Sequence, residues 1–184
     1  MSGKQGIPAV LYRSLCKDEI CPALFSHFVR RQEVSKCWRK ENGTWVIKDI
    51  TFVDDWTKED YQTLVNCLKN TVQTGGLVTG AFFRGMLKGF FSVEGARFGR
   101  YGQYMDLSSI HVSQDMRGHG IGRALFEKAK AFAKENGAKK LYISAHSAVE
   151  TQAFYRAMGC VEAKETNAMH VEKEPCDCQL ECEV

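Results

Sequence analysis

The chain has 184 residues, of which 44% are hydrophobic and 26% charged, the usage of an ordinary globular domain. The net charge is only +3 and no apolar run reaches the roughly 20 residues of a membrane span, so neither nucleic acid nor a membrane is expected as a partner. Eight scattered cysteines and a start unlike a signal peptide predict a cytoplasmic protein with reduced thiols, in one domain over residues 1–184.

The first third of the chain gives weak signals for secondary structure. Tyr12 and its neighbours predict a short strand, and the apolar spacing over residues 20–29 predicts a helix. Residues 31–56 show no sustained period and are interpreted as irregular. Residues 57–60 resemble a capping signal, and the helix that they open should end at the two glycines 75–76.

The remaining two thirds alternate clearly between strands and helices. A glycine-rich loop with Gly95, Gly99 and Gly102 is expected inside this region. Expected strands cover 77–83, 86–93, 104–112, 141–143, the neighbourhood of 161 and 178–182, with helices over 121–136 and 150–158. The order of antiparallel hairpins followed by strand–helix–strand–helix predicts one α/β domain. Its central sheet should be mixed, largely antiparallel and flanked by helices.

The most informative segment is the turn that holds Gly118, Gly120 and Gly122, which follows a strand and opens a helix. Glycines let backbone N–H groups point the same way and let a ligand approach closely. The helix N-terminus adds roughly half a positive charge. The turn therefore predicts a phosphate-binding cradle, with Arg117 and Arg123 at its rim.

Two nucleotide-binding motifs and a purely structural connection are alternative interpretations of this turn. A P-loop requires Gly-x-x-x-x-Gly-Lys-Ser/Thr, which the sequence lacks. A dinucleotide fingerprint requires Gly-x-Gly-x-x-Gly and an acid at the end of the next strand, but that strand ends in Ala145-His146-Ser147. A purely structural connection is disfavoured, because three alternating glycines lose much conformational entropy on folding and only a bound ligand would offset that loss.

The spacing Arg117-x-x-Gly120-x-Gly122 resembles the Arg/Gln-x-x-Gly-x-Gly signature of the GCN5-related N-acetyltransferase (GNAT) family. Residues 154–160, Phe-Tyr-Arg-Ala-Met-Gly-Cys, resemble the second signature of that family, and the resemblance covers about 76–160. It implies the GNAT acyl-CoA N-acyltransferase fold, with acetyl-CoA as cosubstrate. One departure is that His-Ser-Ala stands where the family often has an Asn before its last helix.

The resemblance also implies roles for single residues. Tyr155 stands where the family keeps the general acid that protonates the leaving thiolate, and Asp106 where many relatives carry an acidic base. The backbone N–H near Val112 would stabilise the oxyanion. Strand alternation puts His111 on the face opposite Asp106 and Val112, and Glu94 is a weaker base candidate, as is His146. The implied CoA-binding residues are Ile110, His111, Val112, Arg117, Gly118, His119, Gly120, Ile121, Gly122 and Arg123.

The acceptor is less well specified by the sequence. In the family, the segment between the first two helices lines the acceptor groove, and here Trp38, Asp54 and Asp55 are interpreted as substrate-binding residues. Aromatic rings with acids suit a cationic amine. The simpler alternative is that the tryptophans pack a long loop and the acids are solvated. The expected acceptor is a small-molecule primary amine. A protein lysine or N-terminus stays open as the acceptor, and a non-catalytic acyl-CoA sensor stays open as the function. Association into a homodimer also stays open.

The C-terminal cysteines invite a metal-binding interpretation. Cys176, Cys178, Cys182 and His170 contain ligand types suited to zinc. Structural zinc sites usually space their cysteines as C-x₂₋₄-C, however, and a Cys-x-Cys pair on a strand points both thiols to one face. A metal site is therefore not expected.

Overall fold

The described residues, 9–184 of a computed structural model, form a seven-stranded mixed sheet and a separate two-stranded hairpin. The first eight residues of the expected domain lie outside the described part. The strands are β1 (Leu11–Ser14), β2 (Arg31–Glu41), β3 (Thr44–Asp55), β4 (Leu77–Phe83), β5 (Met86–Phe98), β6 (Tyr104–Val112), β7 (Lys140–Ala145), β8 (Val161–Glu162) and β9 (Cys178–Glu183). The helices are α1 (Lys58–Gln73), α2 (Ile121–Glu135), α3 (Val149–Ala157) and α4 (Ala168–Lys173).

The seven-stranded sheet has the order β1-β4-β5-β6-β7-β9-β8, and every neighbouring pair is antiparallel except β6 and β7. The tight turn between β4 and β5 places Arg84 at φ 52° and Gly85 at φ 78°, the conformation typical of two-residue hairpins. The parallel pair β6–β7 is joined by α2, as a crossover requires. The prediction of a mixed, largely antiparallel sheet flanked by helices is confirmed.

Two hydrophobic clusters cover the two faces of the sheet. On one face, α2 buries Ile121, Leu125 and Phe126 against β5, β6 and β7. On the other, α1 buries Leu64 and Leu68 among side chains of β4 and β5. Both helices follow the apolar spacing of the sequence, because burying one stripe is what stabilises a short helix.

The capping signal before α1 is confirmed in atomic detail. The Thr57 hydroxyl accepts from the Asp60 backbone N–H at 3.2 Å, and the Asp60 carboxylate accepts from the Thr57 backbone N–H at 2.8 Å. Two N–H groups that the helix leaves without partners are thus satisfied. This reciprocal pair fixes where the chain turns from the hairpin into α1.

Two predictions for the first third are wrong. The helix expected over 20–29 is replaced by two short 3₁₀ turns, Lys17–Glu19 and Pro22–Phe25. Cys21 precedes a proline and is extended, with φ −147° and ψ 165°, because a proline disfavours helical backbone at the residue before it. A continuous helix therefore cannot pass this point.

The stretch interpreted as irregular is the hairpin β2–β3. Its turn is Asn42-Gly43, both with positive φ, which is a strong hairpin signal. The pairing register shifts between Val34 and Lys36, and this irregularity interrupts the period-two pattern in the sequence. The strand β2 contacts α3, and the Trp38 backbone N–H donates to Ser147 O in the turn before that helix, at 2.8 Å.

Two smaller features also differ from the prediction, the end of β5 and the short helix α4. Gly95 lies inside β5 rather than in a loop, and a Cβ there would come within 2.6 Å of the Gly75 backbone. That glycine therefore permits close approach of a strand to the end of α1. The short helix α4 is not expected from the sequence, because it has only six residues and none of them is buried. None of the helices within residues 9–184 is both long and apolar enough to cross a membrane.

Candidate active site

The site begins where two parallel strands separate. β6 and β7 pair only from Tyr104–Lys140 to Asp106–Tyr142, and beyond that point they are no longer paired. β6 continues to Val112 with β5 on one side alone. The free edge of β6 therefore lines a cleft of about 870 Å³ whose opposite wall includes Ser144, Ala145 and His146 at the end of β7. Unpaired strand edges offer backbone donors and acceptors to an extended ligand.

A β-bulge in β6 decides which side chains face which side of the cleft. Ser92 pairs with Ser109 while Val93 pairs with Leu107, so Ser108 is an extra residue. Before the bulge, Leu107 packs in the core beneath α2, and after it Val112 does so. In a regular strand, side chains five positions apart point to opposite faces. The extra residue therefore puts Leu107 and Val112 on the same face of the sheet.

The expectation that His111 lies on the face opposite Asp106 is therefore wrong. Asp106 neighbours Met105 and Leu107, which point toward α2, so its carboxylate points to the other face. His111 neighbours Val112 beyond the bulge and points to that same face, where it packs against Phe90. The face away from α2 is called the acceptor face below.

The glycine turn has the geometry of an anion cradle. Gly118 and Gly120 adopt φ of 80° and 78°, and a Cβ on either would meet no atom within 4 Å. No side chain caps the N-terminus of α2, and the first intrahelical bond runs from Ala124 N–H to Gly120 O, 3.1 Å long. The N–H groups of the first turn are therefore left without intrahelical acceptors beside the cleft. They fit a diphosphate, which takes such donors together with the dipole of the helix.

Most of the residues predicted to bind CoA lie together around this cradle. His119 is the exception, because its Nδ1 lies 3.0 Å from the Arg117 carbonyl oxygen and the side chain is exposed outside the cleft. The predicted residues that line the cleft are Ile110, His111, Val112, Arg117, Gly118, Gly120, Ile121, Gly122 and Arg123.

Tyr155 lies on the α2 side of the cleft. It is only 7% exposed, lines the cleft and packs edge-on against Phe126 and Phe154. Desolvation by this burial is the main reason that the pKa of Tyr155 is raised well above its ordinary value. The phenol thus keeps its proton at neutral pH and is available as a donor.

At the open end of the cleft, Arg30 organises a network that sequence reasoning missed. Its Nη2 donates to Asp54 Oδ2 at 2.6 Å and its Nε donates to His111 Nδ1 at 3.3 Å. The guanidinium lies over the Trp56 ring, 5.3 Å from the centroid. Desolvation, reinforced by the positive charge of Arg30, lowers the pKa of His111 to about 3. His111 is therefore a neutral ring held in one orientation, and it does not titrate near neutrality.

A second pair of side chains lies where β6 and β7 separate, on the acceptor face. His170 Nε2 lies 2.6 Å from Asp106 Oδ2, and its ring stacks on Tyr142. The hydrogen bond to Asp106 raises the pKa of His170. Nearby, Asp177 lines the cleft and accepts from Ser144 Oγ at 3.3 Å, and desolvation raises the pKa of Asp177.

The other base candidates are placed differently. Glu94 Oε1 accepts from Ser108 Oγ at 2.6 Å and from Thr71 Oγ1 at 2.7 Å, outside the cleft wall. His146 lines the cleft, and its Nδ1 accepts from the Ala148 backbone N–H at 3.1 Å. Glu94 therefore links α1 to the bulge in β6 by hydrogen bonds, and His146 stabilises the turn before α3 by its bond to the backbone.

The three residues predicted to bind the acceptor do not line the cleft. Trp38 lies against the guanidinium of Arg156, 4.5 Å from the ring centroid. Asp54 is bound by Arg30, and Asp55 points outward with 57% of its side chain exposed. The structure therefore does not gather them around a common space.

The C-terminal cysteines are not gathered around a metal either. All eight cysteines lie in the described part of the chain and carry free thiols. Within residues 9–184, no three or more His, Cys, Asp or Glu side chains are grouped as a metal ion requires. His170, considered with the cysteines from the sequence, is bonded to Asp106 instead.

Comparisons with known proteins agree with this geometry. Residues 41–160 match the family model described as "Acetyltransferase (GNAT) family". No curated protein sequence matches the chain significantly.

Solved structures share the fold over nearly the whole chain. A nourseothricin acetyltransferase superposes with a TM-score of 0.71 at 18% identity, covering 95% of this chain and 98% of its own. A protein assigned as a streptothricin acetyltransferase from Bacillus anthracis str. Ames, in complex with acetyl coenzyme A, gives 0.72 at 14% identity, with 96% and 99% covered. The PaiA N-acetyltransferase from Thermoplasma acidophilum, in complex with coenzyme A, gives 0.59 at 14%, with 96% and 99% covered.

Proposed function

The chain belongs to the GNAT family of acetyl-CoA-dependent acetyltransferases, and we propose that it acetylates a primary amine of a small cationic molecule. The observation that carries the proposal is the separation of β6 from β7 beside an uncapped helix N-terminus. This arrangement offers a strand edge and a diphosphate cradle in one continuous cleft. Acetyl-CoA needs both, because its diphosphate and its extended pantetheine arm are recognised by different groups.

Residues on the α2 side would bind the cosubstrate and donate the proton, and residues on the acceptor face would receive the amine. Arg117 and Arg123 add positive charge beside the cradle, and the free edge of Ile110–Val112 would hold the extended arm by backbone hydrogen bonds. The bound cosubstrate supplies a thioester at the point where β6 and β7 separate. Tyr155, protonated and on the α2 side, would donate a proton to the departing sulfur. The amine would arrive from the acceptor face, where Asp106 lies.

The charge of the cleft supports a cationic acceptor. Glu150, Glu174 and Asp177 line it away from the glycine turn. Lys173 and Arg30 also line the cleft outside the glycine turn, and Arg30 is paired with Asp54. Three carboxylates there therefore face one cation without a salt-bridge partner among the described residues, Lys173. A carboxylate wall favours an ammonium group and raises its local concentration. Two of the structural neighbours, moreover, are named for nourseothricin and streptothricin, which supports a small molecule over a protein as acceptor.

Release of free CoA thiol on adding amines tests the proposal. The panel contains nourseothricin, streptothricin, a polyamine, a neutral amino acid amide, and a peptide with a free N-terminus and one lysine. We expect thiol release with at least one cationic small molecule and little with the peptide. Faster turnover of the peptide would instead establish a protein acetyltransferase. Heat of acetyl-CoA binding without thiol release from any amine would indicate a sensor.

A further inference from the structure

We propose that His170, held by Asp106, takes the proton from the acceptor amine, with Asp106 acting as the positioning residue of the pair. The inference rests on the proposed function and assigns a base for it. It concerns a residue on the short helix α4, far along the chain from the glycine turn. Neither the family signatures nor the glycine turn point to this histidine.

The position of the pair carries the argument. Asp106 is the last residue of β6 that pairs with β7, so it lies just behind the point where the cleft begins. Neither Asp106 nor His170 lines the cleft itself, whereas Lys173 and Asp177, whose charges act on His170, do line it. Its Oδ2 is 2.6 Å from His170 Nε2, while its Oδ1 is buried without a partner among the described residues. The His170 ring stacks on Tyr142 with centroids 5.8 Å apart. Since Nε2 faces the carboxylate, Nδ1 is the nitrogen left to accept a proton.

The chemistry of the pair suits the task better than a carboxylate alone. An ordinary carboxyl group has a pKa near 4, so it holds the proton of an alkylammonium poorly. A base works best when its pKa is near the working pH. The hydrogen bond with Asp106 raises the pKa of His170, which moves the imidazole toward that optimum. Asp106 also stabilises the imidazolium that forms when the proton arrives.

The groups around His170 come from three elements and one loop. Asp106 lies on β6, Tyr142 on β7, Lys173 on α4 itself and Asp177 just before β9. Lys173 opposes protonation of His170, whereas Asp106 and Asp177 favour it. The side chain of His170 is 27% exposed, so a water molecule can reach it. Proton transfer through one water is sufficient for general base catalysis.

The proposed transfer moves two protons from the amine and breaks the C–S bond. One proton leaves the ammonium for His170 Nδ1 through that water, and the freed electron pair of nitrogen forms the C–N bond. The C–S pair departs with sulfur, which takes a proton from Tyr155. The new amide loses a second proton, which restores Tyr155 through solvent. His170 then returns its proton to water, so the reaction releases one proton.

The first test compares His170→Gln with His27→Gln, a change at an exposed histidine away from the cleft. We expect kcat to fall about hundredfold in His170→Gln, within the range of general base catalysis, and to stay within twofold in His27→Gln. The wild-type profile of kcat/KM against pH should rise to a plateau, and its inflection should stay in place when acceptors of different pKa are used. His170→Gln should lack that inflection. A purely structural histidine would leave it unchanged.

A second pair of measurements separates proton transfer from folding. Imidazole added to His170→Ala should restore activity at least tenfold, which a structural role does not allow. In Asp106→Asn, the NMR titration of His170 and the kinetic inflection should move to lower pH together. If Asp106→Asn abolishes activity while His170→Gln keeps the wild-type profile, Asp106 alone is the base and the inference is overturned. Thiol release by the wild type with no effect of His170→Gln likewise rejects this inference while leaving the proposed function intact.

Discussion

The two sides of the cleft differ in how the chain builds them. The glycine turn and the end of β6 form one continuous stretch, 110–123, and their function depends on backbone groups. The acceptor face is assembled from distant residues, with Arg30 bonded to His111 and Asp106 bonded to His170. The first side could be identified from local spacing, while the second required the folded structure. A site built from backbone groups requires glycines at a fixed spacing, which can be recognised in the sequence. Pairs of side chains that are distant in the sequence have no such local pattern.

The largest effect is expected from breaking the cradle itself. Gly120→Val places a β-branched residue at φ 78° and fills the space that a diphosphate needs. We expect the Kd for acetyl-CoA in calorimetry to rise about hundredfold, or about 2.7 kcal/mol. Gly43→Val is the matched control, since Gly43 has φ 80° and equally empty surroundings in the hairpin turn. It should lose stability but bind acetyl-CoA normally; equal loss of binding in both would mean that the turn acts only through folding.

The next effect tests the donor on the α2 side. Tyr155→Phe removes the hydroxyl and keeps the ring that packs against Phe126 and Phe154. We expect kcat to fall at least tenfold, which is about 1.4 kcal/mol of transition-state stabilisation, with the Kd for acetyl-CoA unchanged. Tyr101→Phe, at a tyrosine that is 81% exposed, should leave kcat unaltered. Full activity of Tyr155→Phe would assign the proton donation elsewhere.

A smaller effect is expected on the acceptor face at Arg30. Arg30→Met leaves Asp54 without its partner, but 28% of the Asp54 side chain is exposed, so water replaces much of the lost bond. We expect the free energy of unfolding in urea to fall by about 1 kcal/mol. The pKa of His111 should rise in an NMR titration yet stay below its ordinary value, because burial is the larger cause of its depression. Arg13→Met, which breaks an exposed pair with Glu19, should change stability by less than about 0.5 kcal/mol.

The same contrast explains how far the sequence predicts the fold. The expected bounds 77–83 and 104–112 coincide with β4 and β6, because both strands are bounded by glycine-rich turns and their ends are set locally. The hairpin β2–β3 is not predicted, although Asn42-Gly43 is a typical hairpin turn. Its irregular register and half-exposed faces interrupt the alternation of apolar and polar residues that identifies a strand.

The site follows the same division. Tyr155 and the glycine turn carry family spacing, and the structure places them on one cleft. No local pattern links Asp106 to a histidine 64 positions later. The bulge at Ser108 is equally invisible in the sequence, and it alone reverses which face His111 occupies. Side-chain pairs and register shifts of this kind depend on the whole sheet, so they must be read from the structure.

The smallest effect concerns the stability of the Asp106–His170 pair. The pKa of His170 is raised in the folded state, so the pair stabilises the fold fully below the ordinary histidine pKa of about 6.5. That stabilisation is lost as the pH rises through the folded-state pKa. His170→Gln should therefore lower the free energy of unfolding by less than about 1 kcal/mol at pH 6, and by less still at pH 9. Backbone amides do not titrate, so the glycine turn contributes no such dependence. A difference between the two proteins that did not shrink as the pH rose would show that His170 is held by packing on Tyr142 rather than by the charge of Asp106.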